Sequence, residues 1–130
     1  LVPNRKMPSV LWDMDAAVFP NRCEGGTNLV AMEAMACGVP CIISANTGHL
    51  DIIADDNCFA LDDQRSVTDP YGDFSMWQES QVEQILEMLE RIYSDRTEAK
   101  RRSNRGVKTM QALSWSNQTA KLIASIEHLL

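Results

Sequence analysis

Residues 16–43 read Ala-Ala-Val-Phe-Pro-Asn-Arg-Cys-Glu-Gly-Gly-Thr-Asn-Leu-Val-Ala-Met-Glu-Ala-Met-Ala-Cys-Gly-Val-Pro-Cys-Ile-Ile. The runs 16–20 and 39–43 are short, apolar and bounded by glycine or proline, as is typical of buried strands. Residues 29–37 between them are rich in alanine and methionine and predict a helix that is buried on most sides. A strand, a helix and a strand over this length indicate a right-handed βαβ unit.

The segments that follow extend the same architecture. A short helical stretch at 49–54 leads into the apolar run 58–61, which predicts a third strand of a parallel sheet. Residues 62–78 are polar and contain Pro70 and Gly72, so we expect a long loop that crosses the surface. The fold class predicted is α/β, a Rossmann-like parallel sheet flanked by helices.

The last third of the chain predicts a helical C-terminal tail. Ser80 and Glu83 form a capping-box pattern before a helix over 81–94, and Asp95 with Glu98 starts a second helix that continues to about residue 111. Ser114 then precedes a final helix whose apolar residues mostly share one face. We interpret the basic cluster of the second helix as a solvated face rather than a ligand patch. This cluster comprises Lys100, Arg101, Arg102, Arg105 and Lys108.

Composition limits the function. The 130 residues are 45% hydrophobic, which suits one core, so we expect residues 1–130 to form a single domain. A net charge of −6 argues against nucleic acid and anionic membranes as partners. We find no transmembrane run and no secretory leader, so a cytoplasmic location is expected. The chain starts at Leu1 rather than at methionine, and we expect it to be a domain excised from a longer protein.

The cysteines and acidic pairs do not predict a metal centre. We expect all four cysteines to be reduced thiols in apolar surroundings. Cys37 and Cys41 lack the neighbouring histidines or second cysteine pair of a zinc site. Asp69 and Asp73 have the chemistry to hold a cation, but a solvated turn is the simpler interpretation.

The segment between the first strand and its helix predicts an anion site. The first N–H groups of a helix lack intrahelical partners and its N-terminus is electropositive. Gly25 and Gly26 place no Cβ in the way of a phosphate, so a pyrophosphate fits this turn. Ligands of open parallel sheets also bind beyond the carboxyl ends of the strands, which is where this turn is expected.

Two carboxylates accompany the anion site. Glu33 stands alone among apolar residues, and an unpaired buried ion costs several kcal/mol, so we expect it to have a partner. It lies roughly 7–8 Å along the helix, a reach that suits a ribose attached to a phosphate at the helix start. The alternative is an ion pair between Glu33 and a nearby Lys or Arg. Glu24 in the loop has the chemistry to accept hydrogen bonds from sugar hydroxyls, although an exposed loop carboxylate is usually only solvated.

The string from Glu24 to Pro40, with Ile42-Ile-Ser and Gly48 after it, resembles the donor-binding domain of GT-B glycosyltransferases of the retaining family called group 1 or family 4. The shared features are two glutamates that flank a glycine-containing loop, then Ala-Met-Ala-x-Gly-x-Pro and a strand. Ser114-Trp115 before the last helix also matches. The resemblance covers nearly the whole chain and implies the C-terminal half of a GT-B fold.

The resemblance implies a role for each matching residue. Glu33 would contact the nucleotide ribose and Glu24 the donor sugar, with Glu24 as the catalytic candidate. The loop backbone would cradle the diphosphate. The donor-binding residues implied are Glu24, Gly25, Gly26, Thr27, Asn28, Leu29 and Glu33. No cofactor or metal is implied, since the nucleotide diphosphate sugar is the substrate, and an N-terminal domain of the same protein would hold the acceptor.

This chain departs from the family pattern in three places. Eight residues rather than seven separate Glu24 from Glu33. The family's Gly-Gly and following Glu stand here as residues 47–51, in which His49 would line the cleft or cap a helix. The family's basic pair that neutralises the diphosphate lies upstream of this chain, and Arg22 is a weak substitute.

Two other functions stay open from the sequence. A sugar-nucleotide epimerase would share this architecture and its diphosphate site, because a fold does not define an activity. A non-catalytic interaction module would use the last helix, in which Trp115 and Leu122 are apolar.

Overall fold

A computed structural model describes residues 2–54, 56–68, 72, 74 and 76–129; Asp69 and Asp73 lie outside these residues. The helices are α1 (Met7–Trp12), α2 (Leu29–Ala36), α3 (Val82–Ser94), α4 (Arg96–Ala112) and α5 (Trp115–Ile126). The strands are β1 (Ala17–Phe19), β2 (Cys41–Ser44), β3 (Phe59–Leu61), β4 (Gln64–Ser66) and β5 (Gln78–Ser80). Single 3₁₀ turns occupy Asn4–Lys6, Thr47–Asp51 and Glu127–Leu129.

The central sheet is parallel, with the strand order β1-β2-β3. Val18 pairs with Ile42, and Ile43 pairs with Ala60, so β2 lies between the other two strands. Every residue of β2 is buried, as expected for a strand with neighbours on both edges and both faces. The predicted Rossmann-like α/β fold is confirmed, with strand ends that differ from the prediction by up to two residues.

Helices cover both faces of the sheet because the side chains of β2 alternate between two apolar clusters. Ile43 packs in one cluster with Met35 of α2 and Met110 of α4. Ile42 packs in the other cluster with Met88 of α3. Loops follow the carboxyl ends of the strands, which is where ligands of open parallel sheets bind.

Helix α2 is less buried than the sequence predicts. Ala31, Ala34 and Met35 pack inward at helical spacing, but Leu29 is 69% exposed and Val30 is 59% exposed. An apolar sequence shows that a helix can be buried but not how many neighbours surround it. The neighbours of α2, mainly α4 and β2, leave its other face, which carries Leu29, Val30 and Glu33, largely uncovered.

The predicted surface loop over 62–78 contains paired structure instead. β4 and β5 form an antiparallel pair, in which Arg65 lies opposite Glu79. Both strands have three residues, which is too short for an alternation of polar and apolar residues to stand out in the sequence.

The predicted helix starts have different outcomes. Asp95 caps α4 as predicted, since its side chain accepts a hydrogen bond from the Glu98 N–H at 2.8 Å. The capping box at Ser80 is wrong: Gln81 is the N-cap of α3, and Ser80 belongs to β5. Ser80 is buried and donates its hydroxyl to the Ser44 hydroxyl at 3.2 Å, a contact that joins the two sheets.

The ends of the chain differ from the prediction. Helix α1 was not predicted. Pro8 lies in its first turn, where its missing N–H has no intrahelical acceptor to lose. Helix α5 begins after Ser114 as predicted, but none of its described residues is buried, and Trp115 is 89% exposed. No described helix combines the length and apolarity needed to cross a membrane.

The basic cluster of α4 takes part in intramolecular contacts. Arg101 and Arg102 form ion pairs with Asp56 at 2.9 and 3.1 Å. Arg102 is mostly buried, donates to the Cys58 carbonyl at 2.7 Å and lies over the Phe59 ring at 4.8 Å. These contacts hold the segment before β3 against α4, so the prediction of a simply solvated face is wrong for Arg102.

Candidate functional site

The segment from Pro20 to Asn28 connects β1 to α2 at the carboxyl end of β1. We call residues 24–28 the glycine loop. Glu24 and Thr27 are partly exposed, and Gly25 and Gly26 are exposed. The loop thus presents its backbone to solvent beside the electropositive start of a helix.

The 3₁₀ turn after β2, Thr47–Asp51, is hydrogen-bonded to the glycine loop. The Glu24 N–H donates to the Thr47 hydroxyl at 2.7 Å, and the Gly48 N–H donates to the Glu24 carbonyl at 3.1 Å. A Cβ on Gly48 would lie 1.5 Å from the Gly26 carbonyl oxygen. The two backbones therefore touch, and only glycine at position 48 allows this contact.

Gly25 and Gly26 are not required by crowding within the chain. A Cβ built on either residue meets no atom within 4 Å, and neither has a positive φ. Space is thus open above both residues, where a Cβ would occupy the position of an approaching anion.

A buried polar chain lies beneath the start of α2. The Asn28 side chain is the N-cap and accepts from the Ala31 N–H at 3.0 Å. Its amide nitrogen lies 3.0 Å from Nε2 of His49, whose Nδ1 lies 3.0 Å from the Ser44 carbonyl oxygen. Burial lowers the pKa of His49, although the hydrogen bond to Ser44 and the charge of Glu24 act in the opposite direction.

His49 has neither of the two roles considered from the sequence. It is fully buried, so it does not line the cleft, and it lies inside the turn Thr47–Asp51 rather than at a helix end. It instead supports the residue that caps α2. The pattern of this chain gives no signal for that pairing, because Asn28 and His49 are 21 positions apart.

Glu33 lies on the uncovered face of α2 and is exposed. The expectation of a buried carboxylate is therefore wrong, and no ion pair joins Glu33 to another described residue. Its side chain borders a cavity of about 230 Å³ between α1 and α2. The other residues that line this cavity are Asn4, Met7, Pro8, Leu11, Ala36 and Cys37.

Glu24 has few contacts of its own side chain. The Asn21 amide lies 3.4 Å from a Glu24 carboxylate oxygen, while the Glu24 backbone is fixed by the turn after β2. That turn borders a larger cavity of about 690 Å³, which Asp51 and Gln78 also line. The backbone of Glu24 is thus anchored next to this open space.

Arg22 is engaged elsewhere. Its guanidinium forms a hydrogen-bonded ion pair with Glu79 of β5, with Nε 2.9 Å from the carboxylate. Both side chains are about half exposed, so the pair contributes little to stability. The pair nevertheless engages Arg22, which is the one basic side chain between β1 and α2.

Asn46 organises the loops and was not identified from the sequence. It is buried two residues after the end of β2 and donates to the Asn21 carbonyl at 3.0 Å and to the Gln64 side chain at 3.1 Å. Its side-chain oxygen Oδ1 accepts from the Thr47 hydroxyl at 3.1 Å. The one sequence signal that could have identified Asn46 is a polar residue near the carboxyl end of a buried strand, and that signal is weak.

The described cysteines are free thiols, and burial raises the pKa of Cys41 to about 12 and of Cys58 to about 11. Cys37 and Cys23 are partly exposed. No group of three metal-binding side chains occurs among the residues that the structure describes.

The comparisons with known proteins give one finding. A family model described as family 4 glycosyltransferase in conflict systems matches residues 4–122, from the first 3₁₀ turn into α5. The match includes the glycine loop, α2 and the turn after β2. No curated protein matches this chain.

Proposed function

Because the chain belongs to the family 4 glycosyltransferases of conflict systems, we propose that it binds a nucleotide diphosphate sugar as the donor for glycosyl transfer. One observation supports this most strongly. The exposed glycine loop leads directly into α2, and Glu33 lies on the uncovered face of the same helix. One ligand could therefore contact both an anion site and a carboxylate that accepts hydrogen bonds.

The diphosphate would lie on the glycine loop. Asn28 satisfies the Ala31 N–H, while the N–H groups of Leu29 and Val30 have no intrahelical acceptor. Donors at such a position favour phosphate, aided by the helix dipole. The open space above Gly25 and Gly26 lets phosphate oxygens approach the backbone.

The nucleoside would lie beside α2. The Glu33 carboxylate is exposed and suits the two hydroxyls of a ribose, since an ionised carboxylate accepts several hydrogen bonds. The adjacent cavity of about 230 Å³ is lined largely by apolar side chains, among them Met7, Pro8 and Leu11. Such a lining suits the flat face of a base.

The sugar would lie on the side of Glu24. The Glu24 backbone is held by Thr47 and Gly48, which line the cavity of about 690 Å³. We assign Glu24 to the sugar hydroxyls and Glu33 to the ribose, so that the two carboxylates bind opposite ends of one donor.

Transfer requires the bond between the anomeric carbon and the diphosphate oxygen to break while an acceptor hydroxyl oxygen bonds to that carbon and gives its proton to the leaving diphosphate. Negative charge develops on the leaving diphosphate, and preorganised N–H donors stabilise it. Arg22 is paired with Glu79, so the further positive charge would come from outside the glycine loop. We propose that an N-terminal domain of the same protein supplies that charge and holds the acceptor, and that residues 1–130 form one donor-binding domain without transfer activity of its own.

Calorimetric titration with UDP, GDP and ADP, and with their sugar derivatives, tests the proposal. We expect selective binding of one nucleotide that weakens by about ten-fold or more in Glu33→Gln, because a charge-assisted hydrogen bond contributes about 1.5–3 kcal/mol. Glu90→Gln on α3 removes the same charge from an exposed position and should bind like the wild type. Equal affinity of the two variants would contradict the role of Glu33, and no binding of any nucleotide would contradict the donor site.

An exposed apolar face on α5 supports a second function, association with another protein. Trp115, Leu122 and Ile123 are all more than half exposed, which is uncommon for large apolar side chains grouped on one helix. Sedimentation of the chain over a range of concentrations distinguishes the two functions, since association would persist in Glu33→Gln whereas nucleotide binding would not.

A further inference from the structure

We propose that His49 is a positioning residue for the glycine loop: its neutral ring, protonated on Nδ1, holds Asn28 in the orientation that caps α2. This inference rests on the proposed function for its consequence, donor binding, but its structural part stands on the hydrogen bonds of His49 itself. His49 touches no part of the proposed ligand and would act through Asn28.

The two partners of the ring determine which nitrogen carries the proton. The Ser44 carbonyl accepts hydrogen bonds and cannot donate one, so Nδ1 must carry a proton. On the other side, the amide nitrogen of Asn28 is a donor, so Nε2 must offer its lone pair. Both conditions are met by one neutral tautomer, and the imidazolium fails the second.

The orientation of Asn28 is determined independently. Its side-chain oxygen accepts from the Ala31 N–H, so its nitrogen must face His49. If Nε2 gained a proton, Asn28 would have to turn its oxygen towards the ring and would then lose the cap. Capping of α2 and protonation of His49 therefore exclude each other.

Burial raises the free-energy cost of leaving either side chain without its hydrogen-bond partner. His49 is fully buried and Asn28 is nearly so, so an unpaired donor on either side chain would not be compensated by water. Glu24 in the glycine loop is a charged group that acts on the ring, and Asp51 lies in the turn that contains His49. Both remain in every variant below, so comparisons at one pH isolate the effect of the pair.

The state of the ring is measured first, on the complete chain without ligand. The chain has two histidines, and His128 is exposed in the last 3₁₀ turn, so it serves as an internal reference. Long-range ¹H–¹⁵N spectra at pH 7.5 should show His49 protonated on Nδ1 alone. An Nε2-protonated ring, or a ring that averages its tautomers as an exposed histidine does, would overturn the proposal.

Asn28→Asp tests the link between the two side chains. A carboxylate still caps the Ala31 N–H but offers a second acceptor to Nε2, so the ring should become doubly protonated in the same spectra. A His49 spectrum unchanged from the wild type would show that residue 28 does not determine the state of the ring. In His49→Phe the amide hydrogen of Ala31 should exchange faster, by about five-fold or more, because Asn28 loses its support.

Binding of inorganic pyrophosphate and of the nucleotide selected by the wild type tests the consequence. We expect about five- to ten-fold weaker binding in His49→Phe, with His128→Gln as the matched control that binds like the wild type. Wild-type affinity in a folded His49→Phe would overturn the positioning role. If the wild type binds none of these ligands, the proposed function fails, while the spectra and the exchange of Ala31 still decide whether His49 holds the cap.

Discussion

At Gly48 the backbone of one loop lies directly against the backbone of another. A Cβ there would occupy the position of the Gly26 carbonyl, so any side chain must push the glycine loop away from β2. We expect Gly48→Ala to lower the free energy of unfolding by about 1–3 kcal/mol, as is usual when a tightly packed position is overfilled. Urea denaturation measures this change.

Gly25→Ala is the matched control for that substitution. Its Cβ would point into open space at a negative or extended φ, so its stability should lie within about 1 kcal/mol of the wild type. Equal destabilisation by the two alanines would contradict the observed contact between the glycine loop and the turn after β2.

The buried imidazole predicts how stability depends on pH. In the unfolded chain His49 takes up a proton near pH 6.5, whereas burial lowers its pKa in the folded state. The unfolded state then binds more protons, so stability is full above about pH 6.5 and falls with decreasing pH, by at most about 1.4 kcal/mol per pH unit for one group.

Urea denaturation between pH 7.5 and 5 checks this prediction. The pKa values of Asp56 and Glu98 are also lowered, but these carboxylates affect stability mainly below their ordinary pKa values of 3.8 and 4.5, outside this range. His49→Phe should show a flatter profile over the same range. Stability that rises as the pH falls from 7.5 to 5 in the wild type would contradict a neutral, buried His49.

Residues of the site differ in how far the sequence predicts them. The glycine loop and Glu33 were selected as candidates because glycines and a lone carboxylate are signals within a short stretch of sequence, and their roles in binding stay predictions. Asn46 and the Asn28–His49 pair were missed because their partners are distant in sequence. The exposure of Glu33 was also missed, since the sequence does not show whether another element covers α2.

Among the elements, the helix starts allow a direct comparison of two N-caps. The Asp95 side chain accepts from the Glu98 N–H, whereas Ser114 makes no side-chain hydrogen bond at the start of α5. We expect Asp95→Ala to cost about 0.5–2 kcal/mol and Ser114→Ala clearly less. Thermal unfolding of both variants measures the difference, and a Ser114→Ala cost equal to that of Asp95→Ala would contradict the observed caps.

Helices were predicted better than strands for a physical reason. Helix α3 repeats apolar residues over three turns and α4 carries a cap, so both signals lie within the element. β4 and β5 have three residues each and depend on pairing across the chain. A Cβ built on Gly106 of α4 would lie 3.1 Å from the Asn57 carbonyl oxygen, so glycine allows α4 to approach that loop.

For the whole molecule, stability should depend on the two clusters around the sheet and hardly on α5. Ile43 is fully buried, whereas Trp115 is 89% exposed. We expect Ile43→Ala to cost about 2–5 kcal/mol and Trp115→Ala about 0.5 kcal/mol or less. Urea denaturation of the two variants measures this contrast, and a large cost for Trp115→Ala would show that α5 packs on the domain in solution.

The uneven burial also shows what sequence patterns convey about a whole fold. The three strands of the parallel sheet were predicted because each strand is an apolar run separated from the next by helical residues. The apolar residues of α5 were predicted to lie mostly on one face, and none of the described residues of this helix is buried. Periodicity identifies a face that can be covered and says nothing about what covers it.

Mapping a nucleoside diphosphate onto the chain tests the donor site most directly. In ¹H–¹⁵N spectra of the labelled protein, titration with UDP, GDP and ADP should shift the amide signals of residues 25–30 with one of the three nucleotides. The same signals should move less in Glu33→Gln at equal concentration. Shifts confined to other surfaces, such as the α4 face around Arg101, or no shifts with any nucleotide, would contradict a donor site at the start of α2.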